Sequence, residues 1–239
     1  MLRNKPLKKI MCAALAGVSV FASVAMFSSC TTSHPEVEMK LSFNDKSYTL
    51  QYKLYRKIAP STVQHFLELV ENGYYDGLCI HNYDAGTSRL YTGGYSYDAS
   101  KADDGGLVEK DYFSVVKDWT LTQTVWDDEA RTDPLYTVYG EFSANGHKND
   151  LKHTLGVLSM ARTMAPNSAG SQFFIMVADA PHLDGQYAAF GKITDNAQAA
   201  VDISRVNRDM FTDKPKKPQT IKSIRVDTQG VEYPAPEKH

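Results

Sequence analysis

The sequence predicts a mainly β domain: a closed antiparallel barrel capped by two α-helices and carrying one large inserted loop. Three observations predict it. Short runs of alternating apolar and polar residues recur along most of the chain, the period of a half-buried strand. Only two stretches follow the helical period, as expected for a closed sheet with helical plugs. A long acidic segment that also carries aromatic residues interrupts the order of strands. At 239 residues, 42% hydrophobic and 23% charged, the chain is long enough for one domain with extensions and a core that needs no covalent staples.

In chain order, the alternating runs at Met39–Phe43 and Ser47–Tyr55, with turn residues from Phe43 to Lys46 between them, predict a first hairpin. From Pro60, Val63, Phe66, Leu67 and Val70 fall on one helical face; Pro60 suits the first turn, and Gly73 after Asn72 suits the cap. Strand candidates follow from Leu78 (LCIHNY), Leu155 (LGVLSMA), Ser171 (SQFFIMVA) and Tyr187 (YAAFGKI). A weaker helix spans Asp195 to Asn207, and Thr220 to Val226 is the closing strand. The folded domain is expected over residues 38–229, with a tail at 230–239.

The first thirty residues read as a targeting segment. Arg3, Lys5, Lys8 and Lys9 make a basic start, Ile10 to Phe27 is apolar or small, and the run ends in FSSC at Cys30. This resembles a bacterial lipoprotein signal covering residues 1–29, with cleavage before an acylated Cys30 and a tether at 30–37; a retained signal anchor is the alternative. Either reading places the domain outside the cytoplasm, at the cell envelope and attached to the membrane. Without residues 1–29 the chain holds 22 basic and 28 acidic residues, a net charge of −6, which argues against a nucleic-acid partner. Cys79 is then the only thiol beyond the lipidated one, so no internal disulfide forms.

The insert covers about residues 95–135. Ten acids face only Lys101, Lys110, Lys117 and Arg131, yet the segment also holds Tyr112, Phe113, Trp119 and Trp126. A disordered acidic loop is poor in aromatics, so the Asp111 to Trp126 part is expected to pack on the barrel. Its acids lack the spacing of an EF-hand loop, and no metal site is expected.

Three blocks carry a more specific signal: LYRKIAPSTVQHFLELVENGYYDGL (Leu54–Leu78), GEFSANGHKNDLKHTLGVLSMARTMAPNSAGSQFFI (Gly140–Ile175) and HLDGQYAAFGKI (His182–Ile193). In this order and at these intervals they resemble cyclophilins, the barrel-fold peptidyl-prolyl cis–trans isomerases. The bland alternative, strand core and turn chemistry of another β domain, does not demand so particular a run. A hydrolase built on Ser171, His182 and Asp184 lacks a G-x-S-x-G elbow.

The resemblance implies an Xaa-Pro substrate, proline-containing peptides and unfolded exported proteins as partners, and no cofactor. It implies that Phe174, Leu183 and Leu90 line a proline pocket, and that Gln172 with the backbone of Ala161 and Arg162 binds the peptide. His182 and Tyr187 stand at variable positions of the site. The segment Ile80–Gly94 departs from the family: Asn82 takes the place of its catalytic arginine, Thr92 that of the glutamine holding this arginine, and Arg89 that of a pocket phenylalanine. Two readings follow: an isomerase slowed by loss of one donor, with Arg89 or Arg162 as a substitute cation, or a non-catalytic prolyl-peptide binder or chaperone-like module on the same fold. The insert leaves after Gly94 and returns before Tyr139, so it is expected to border the peptide groove unless it packs elsewhere on the barrel.

Overall fold

The computed structural model describes residues 34–43, 46–117, 119, 137–205 and 217–230. The signal segment, Cys30, Trp126 and the 231–239 tail lie outside these residues. The first hairpin pairs β1 (Glu36–Phe43) with β2 (Lys46–Leu54), Phe43 facing Lys46. Val37, Met39, Leu41, Leu50, Tyr52 and Leu54 alternate into the interior and are fully buried. Glu36 and Val37, assigned from the sequence to the tether, already belong to β1 because β10 pairs with them.

Eight strands form one antiparallel sheet in the order β10–β1–β2–β9–β7–β8–β4–β3. The remaining six are β3 (Asn82–Asp84), β4 (Arg89–Thr92), β7 (Val157–Met160), β8 (Phe173–Met176), β9 (Ala189–Asp195) and β10 (Thr220–Asp227). Residues 77–80 join the two edges of the sheet. Gly77 N–H donates to the Ile221 carbonyl, Ile221 N–H to Leu78 and Ile80 N–H to Gln219, at 2.9, 2.7 and 2.9 Å. The LCIHNY run is thus two pieces: Leu78 and Cys79 bridge to neighbours singly, and the strand proper starts at Asn82.

Helix α1 (Pro60–Glu71) buries the expected face of Val63, Phe66, Leu67 and Val70, with Pro60 in its first turn. Phe66 packs against Tyr75, Phe173 and Phe190 at centroid distances of 5.3, 5.4 and 5.1 Å. No residue beside its N-terminus caps it. Instead the buried Glu141 carboxylate accepts from the N–H groups of Ser61 and Thr62 at 2.9 and 2.8 Å. Gly73 takes φ +68°, the left-handed conformation expected after the C-cap. The second predicted helix is shorter than its pattern, Ala197–Ser204, and buries Ala199, Ala200 and Ile203; as α3 it follows a short α2 described next.

Residues 95–117 begin the segment that the sequence sets apart. β5 (Tyr95–Tyr97) pairs with β6 (Leu107–Glu109) as a separate hairpin, and α2 (Tyr112–Val116) starts on Asp111, whose carboxylate accepts from Ser114 N–H. Val116 is fully buried, and Tyr112, Val115 and Trp119 pack on the main core. The Lys110 ammonium ties the segment down by donating to the Tyr74 carbonyl at 2.7 Å.

Candidate active site

Register builds the site. Asn82 pairs with Tyr91, Tyr91 with Phe174, Phe174 with Ser159, and Ser159 with Ala189. Residues opposite one another in a ladder share a face, so these five form one row across β3, β4, β8, β7 and β9. The neighbouring rows, such as Leu90–Ile175–Leu158, join Val63 and Phe66 in the barrel core. The Phe174 row therefore points outward, where Phe174 and Ala189 cluster with Val157, Met176, Ala180 and Leu183, and Tyr91, Ala161 and Tyr187 pack at the edge.

Phe174, fully buried, is the centre of this apolar cluster, called the slot below. Its ring lies 5.6 Å from that of Tyr91, 5.5 Å edge-on from Tyr187, and 6.0 Å stacked on His153. Beneath it a hydrogen-bonded chain fixes His153: Nδ1 lies 3.1 Å from Asp184 and Nε2 lies 3.1 Å from the Ser159 hydroxyl. Burial holds the His153 pKa below the usual imidazole value, although the Asp184 bond opposes it. Ser159 is fully buried, so the chain positions Phe174 and offers no nucleophile. Ser171, the serine of the hydrolase alternative, donates to the Gly93 carbonyl at 2.7 Å inside the sheet, and Asp184 engages His153.

Residues 38–226 match the family model described as cyclophilin type peptidyl-prolyl cis-trans isomerase/CLD. The chain belongs to the cyclophilin-type peptidyl-prolyl cis-trans isomerase family. Peptidyl-prolyl cis-trans isomerase CYP23 of Arabidopsis thaliana is 30% identical over 66% of this chain, which spans 56% of that relative's length. Peptidyl-prolyl cis-trans isomerase A of Dickeya dadantii is 28% identical over 92% of this chain and 97% of its own. Among solved structures, a Cryptosporidium parvum cyclophilin type peptidyl-prolyl cis-trans isomerase shares the fold with a TM-score of 0.57 at 22% identity, covering 81% of this chain and 98% of its own. A second structure of that protein, determined in the presence of the dipeptide Ala-Pro, has a TM-score of 0.56.

Within this cyclophilin fold, the residues expected at the site fall into two groups. Phe174, Leu183, Tyr187 and Ala161 meet at the outer slot, and Gln172 borders it, its carbonyl accepting from Ala161 N–H at 2.9 Å. His182 is exposed on the short turn before Leu183. Leu90 and Thr92 do not reach the slot. Strand alternation turns both inward: Leu90 joins the barrel core, and the fully buried Thr92 hydroxyl donates to the Cys79 carbonyl at 2.8 Å. Tyr91 occupies the outward position instead, and sequence reading missed it. Its pairing with Phe174 is a one-residue matter of register that no local pattern discloses.

Asn82 stands in the Phe174 row, and its buried Oδ1 has no hydrogen-bond partner among the described residues. Arg162 lies over the Phe142 and Tyr187 rings at 5.0 and 4.8 Å, with its fork spent on backbone: Nε and Nη2 donate to the Gln186 carbonyl at 3.1 and 2.9 Å, and Nη1 to Thr163 at 2.9 Å. Arg89 is different. Its guanidinium lies 5.2, 5.3 and 5.4 Å from the ring centroids of Tyr91, Phe174 and Tyr187, and only 9% of the residue is exposed. Asp84 holds it at 2.7 Å and the Thr87 hydroxyl accepts from Nε at 2.6 Å. Burial alone would weaken its charge, but the bonds to Asp84 and Tyr187 outweigh this and raise its pKa.

Beside the slot, Tyr112, Thr137, Ala161, Arg162, Ser168 and Gln172 line a recess of about 290 Å³. Tyr112 reaches it because its hydroxyl lies 3.1 Å from His65 Nε2, which also contacts the Gly170 carbonyl at 3.0 Å. Val138 N–H donates to the Ala169 carbonyl at 2.9 Å. The described parts of the acidic segment and of its return thus stand next to Gln172.

Proposed function

We propose that this domain binds Xaa-Pro segments of unfolded, exported polypeptides in the slot centred on Phe174 and speeds their cis–trans exchange while a lipid on Cys30 holds it at the bacterial envelope. One observation carries the reading: an apolar cluster on the outer face of the sheet, Phe174 with Leu183 and Tyr187, adjoins Ala161 and Gln172 where β7 ends and β8 begins. A proline ring fits an apolar cluster, and the chain before it can meet backbone polar groups beyond the ends of β7 and β8. Ala161 N–H is already committed to Gln172, which leaves the Ala161 carbonyl for an incoming peptide. The Ala-Pro dipeptide used with the Cryptosporidium parvum relative is of the same chemistry.

The reaction asks for no bond to be made or broken. Rotation about Xaa-Pro faces a barrier of roughly 18–20 kcal/mol and takes tens to hundreds of seconds unaided. A catalyst holds the ring, leaves the preceding carbonyl free to swing, and stabilises the twisted amide more than either planar form. The envelope reading rests on the basic start, the apolar run and FSSC of residues 1–30.

Asn82 at the family's arginine position favours the second reading, binding without turnover. Exchange NMR on an Xaa-Pro peptide separates the two. Cross-peaks between cis and trans signals that build up within a second of mixing support the isomerase. Chemical-shift changes without faster exchange leave only a binder, and no shift change at all refutes both.

A further inference from the structure

We propose that Arg89 is the cationic donor to the twisted prolyl amide, carried into the slot by an Asp84–Thr87 tether and replacing any donor at Asn82. The inference rests on the isomerase reading above. When the Xaa-Pro bond twists, conjugation is lost and the prolyl nitrogen regains a lone pair, which a hydrogen-bond donor stabilises; a charged donor in a dry site does so best.

Two arginines lie over rings of the site, and their surroundings differ. Arg162 has its fork engaged by the carbonyls of Gln186 and Thr163, so it fastens a loop. Arg89 has five N–H groups, of which Thr87, Asp84 and the Tyr187 hydroxyl take one each; the guanidinium that carries the other two lies among the Tyr91, Phe174 and Tyr187 rings. Phe174 is fully buried with the guanidinium 5.3 Å over its ring, so a prolyl amide brought to this row would meet the guanidinium first. Asn82, in the Phe174 row itself, offers only a neutral amide.

The tether is built into the β3–β4 turn. Asp84 is the ladder partner of Arg89, and it also accepts from the Thr87 amide and hydroxyl at 3.1 and 2.6 Å. Ser88, immediately before Arg89, holds φ +57°, a left-handed conformation costly for a residue other than glycine unless its surroundings impose it. Asp84 and Thr87 are positioning residues: they orient the guanidinium without reaching the peptide.

The test is exchange NMR on an Ala-Pro peptide with the full chain in detergent, comparing wild type, Arg89→Met and Arg89→Met with Asn82→Arg. Removing one such donor is expected to lower the exchange rate of bound peptide on the order of 100-fold, while peptide affinity from the same titration changes less than about threefold. Asn82→Arg in the Arg89→Met background is expected to recover at least about tenfold, which also shows that the first variant is folded. An Arg89→Met chain that exchanges bound peptide as fast as wild type overturns the proposal and leaves the isomerase reading standing. So does one that loses binding and rate together, because Arg89 would then be a wall of the slot. A wild type that binds without accelerating exchange sinks both.

Discussion

Glu141→Ala tests how the barrel and its first helix are joined. The Glu141 side chain is fully buried and accepts the Ser61 and Thr62 N–H groups at 2.9 and 2.8 Å, the first donors of α1. Alanine leaves both donors without a partner in a dry site, at about 1–3 kcal/mol each, and removes a negative charge from the helix N-terminus, worth about 0.3–1 kcal/mol. The expected loss is about 3–5 kcal/mol, a large share of the roughly 5–15 kcal/mol typical of a domain, and about 10 °C in melting temperature. Glu141→Gln keeps one acceptor oxygen and is expected to lose about half as much. The effect should reach the site, because Asn149 Nδ2 bridges the Glu141 and Ala189 carbonyls at 2.9 Å each, and Ala189 ends the Phe174 row. Urea unfolding followed by tryptophan fluorescence measures it. A loss under about 1 kcal/mol for Glu141→Ala would refute the long-range cap.

Other outcomes are equally specific. Burial lowers the His65 pKa to about 4, with the Gly170 bond opposing; as pH falls below about 6.5 the unfolded chain takes up the proton first, so wild type should lose about 1.4 kcal/mol per pH unit down to pH 4. His65→Gln, which can still donate to Gly170, should abolish that component in unfolding curves at pH 7, 5.5 and 4; an unchanged slope contradicts it. Burial pushes the Asp84 carboxyl up, but the Thr87 and Arg89 bonds outweigh it and hold it below the usual range, so the tether should persist from neutral pH and release only below about pH 4; catalysed exchange that declines between pH 7 and 5 in step with Asp84 titration would argue otherwise. Gly93 has φ +90°, and a Cβ there would lie 2.5 Å from the Ser171 carbonyl; Gly93→Ala should cost more than about 2 kcal/mol, and a denaturation midpoint equal to wild type would disprove the clash. Arg162→Ala should weaken peptide binding by about tenfold, roughly 1.4 kcal/mol, without slowing exchange of bound peptide; a slower bound-state rate would make Arg162 the donor.

Where a pattern is local, it was legible. The alternation of β1 and β2 and the apolar face of α1 follow from strand and helix periods. The contiguous blocks carrying Phe174, Leu183 and Tyr187 placed those residues at one site, because β8 and the turn before β9 are short and their neighbours in sequence remain neighbours in space. Leu90 and Thr92 show where such reading stops. They lie two residues apart in a run that reads like the family's pocket strand, yet the side chain a strand presents depends on its register with β8, and a shift of one residue exchanges the outward Tyr91 for the inward Leu90.

Chain chemistry by itself determined that this protein is a mainly β cyclophilin-type domain with asparagine where a cation was expected, since periodicity and contiguous motifs survive without knowledge of the fold. Only the tertiary structure decided that Arg89 lies over Phe174 and that Arg162 is spent on carbonyls. It alone also placed the cap of α1 some eighty residues away at Glu141. Those facts are distances between segments far apart in the chain, set by how the barrel curls and closes, and no stretch of residues encodes them locally.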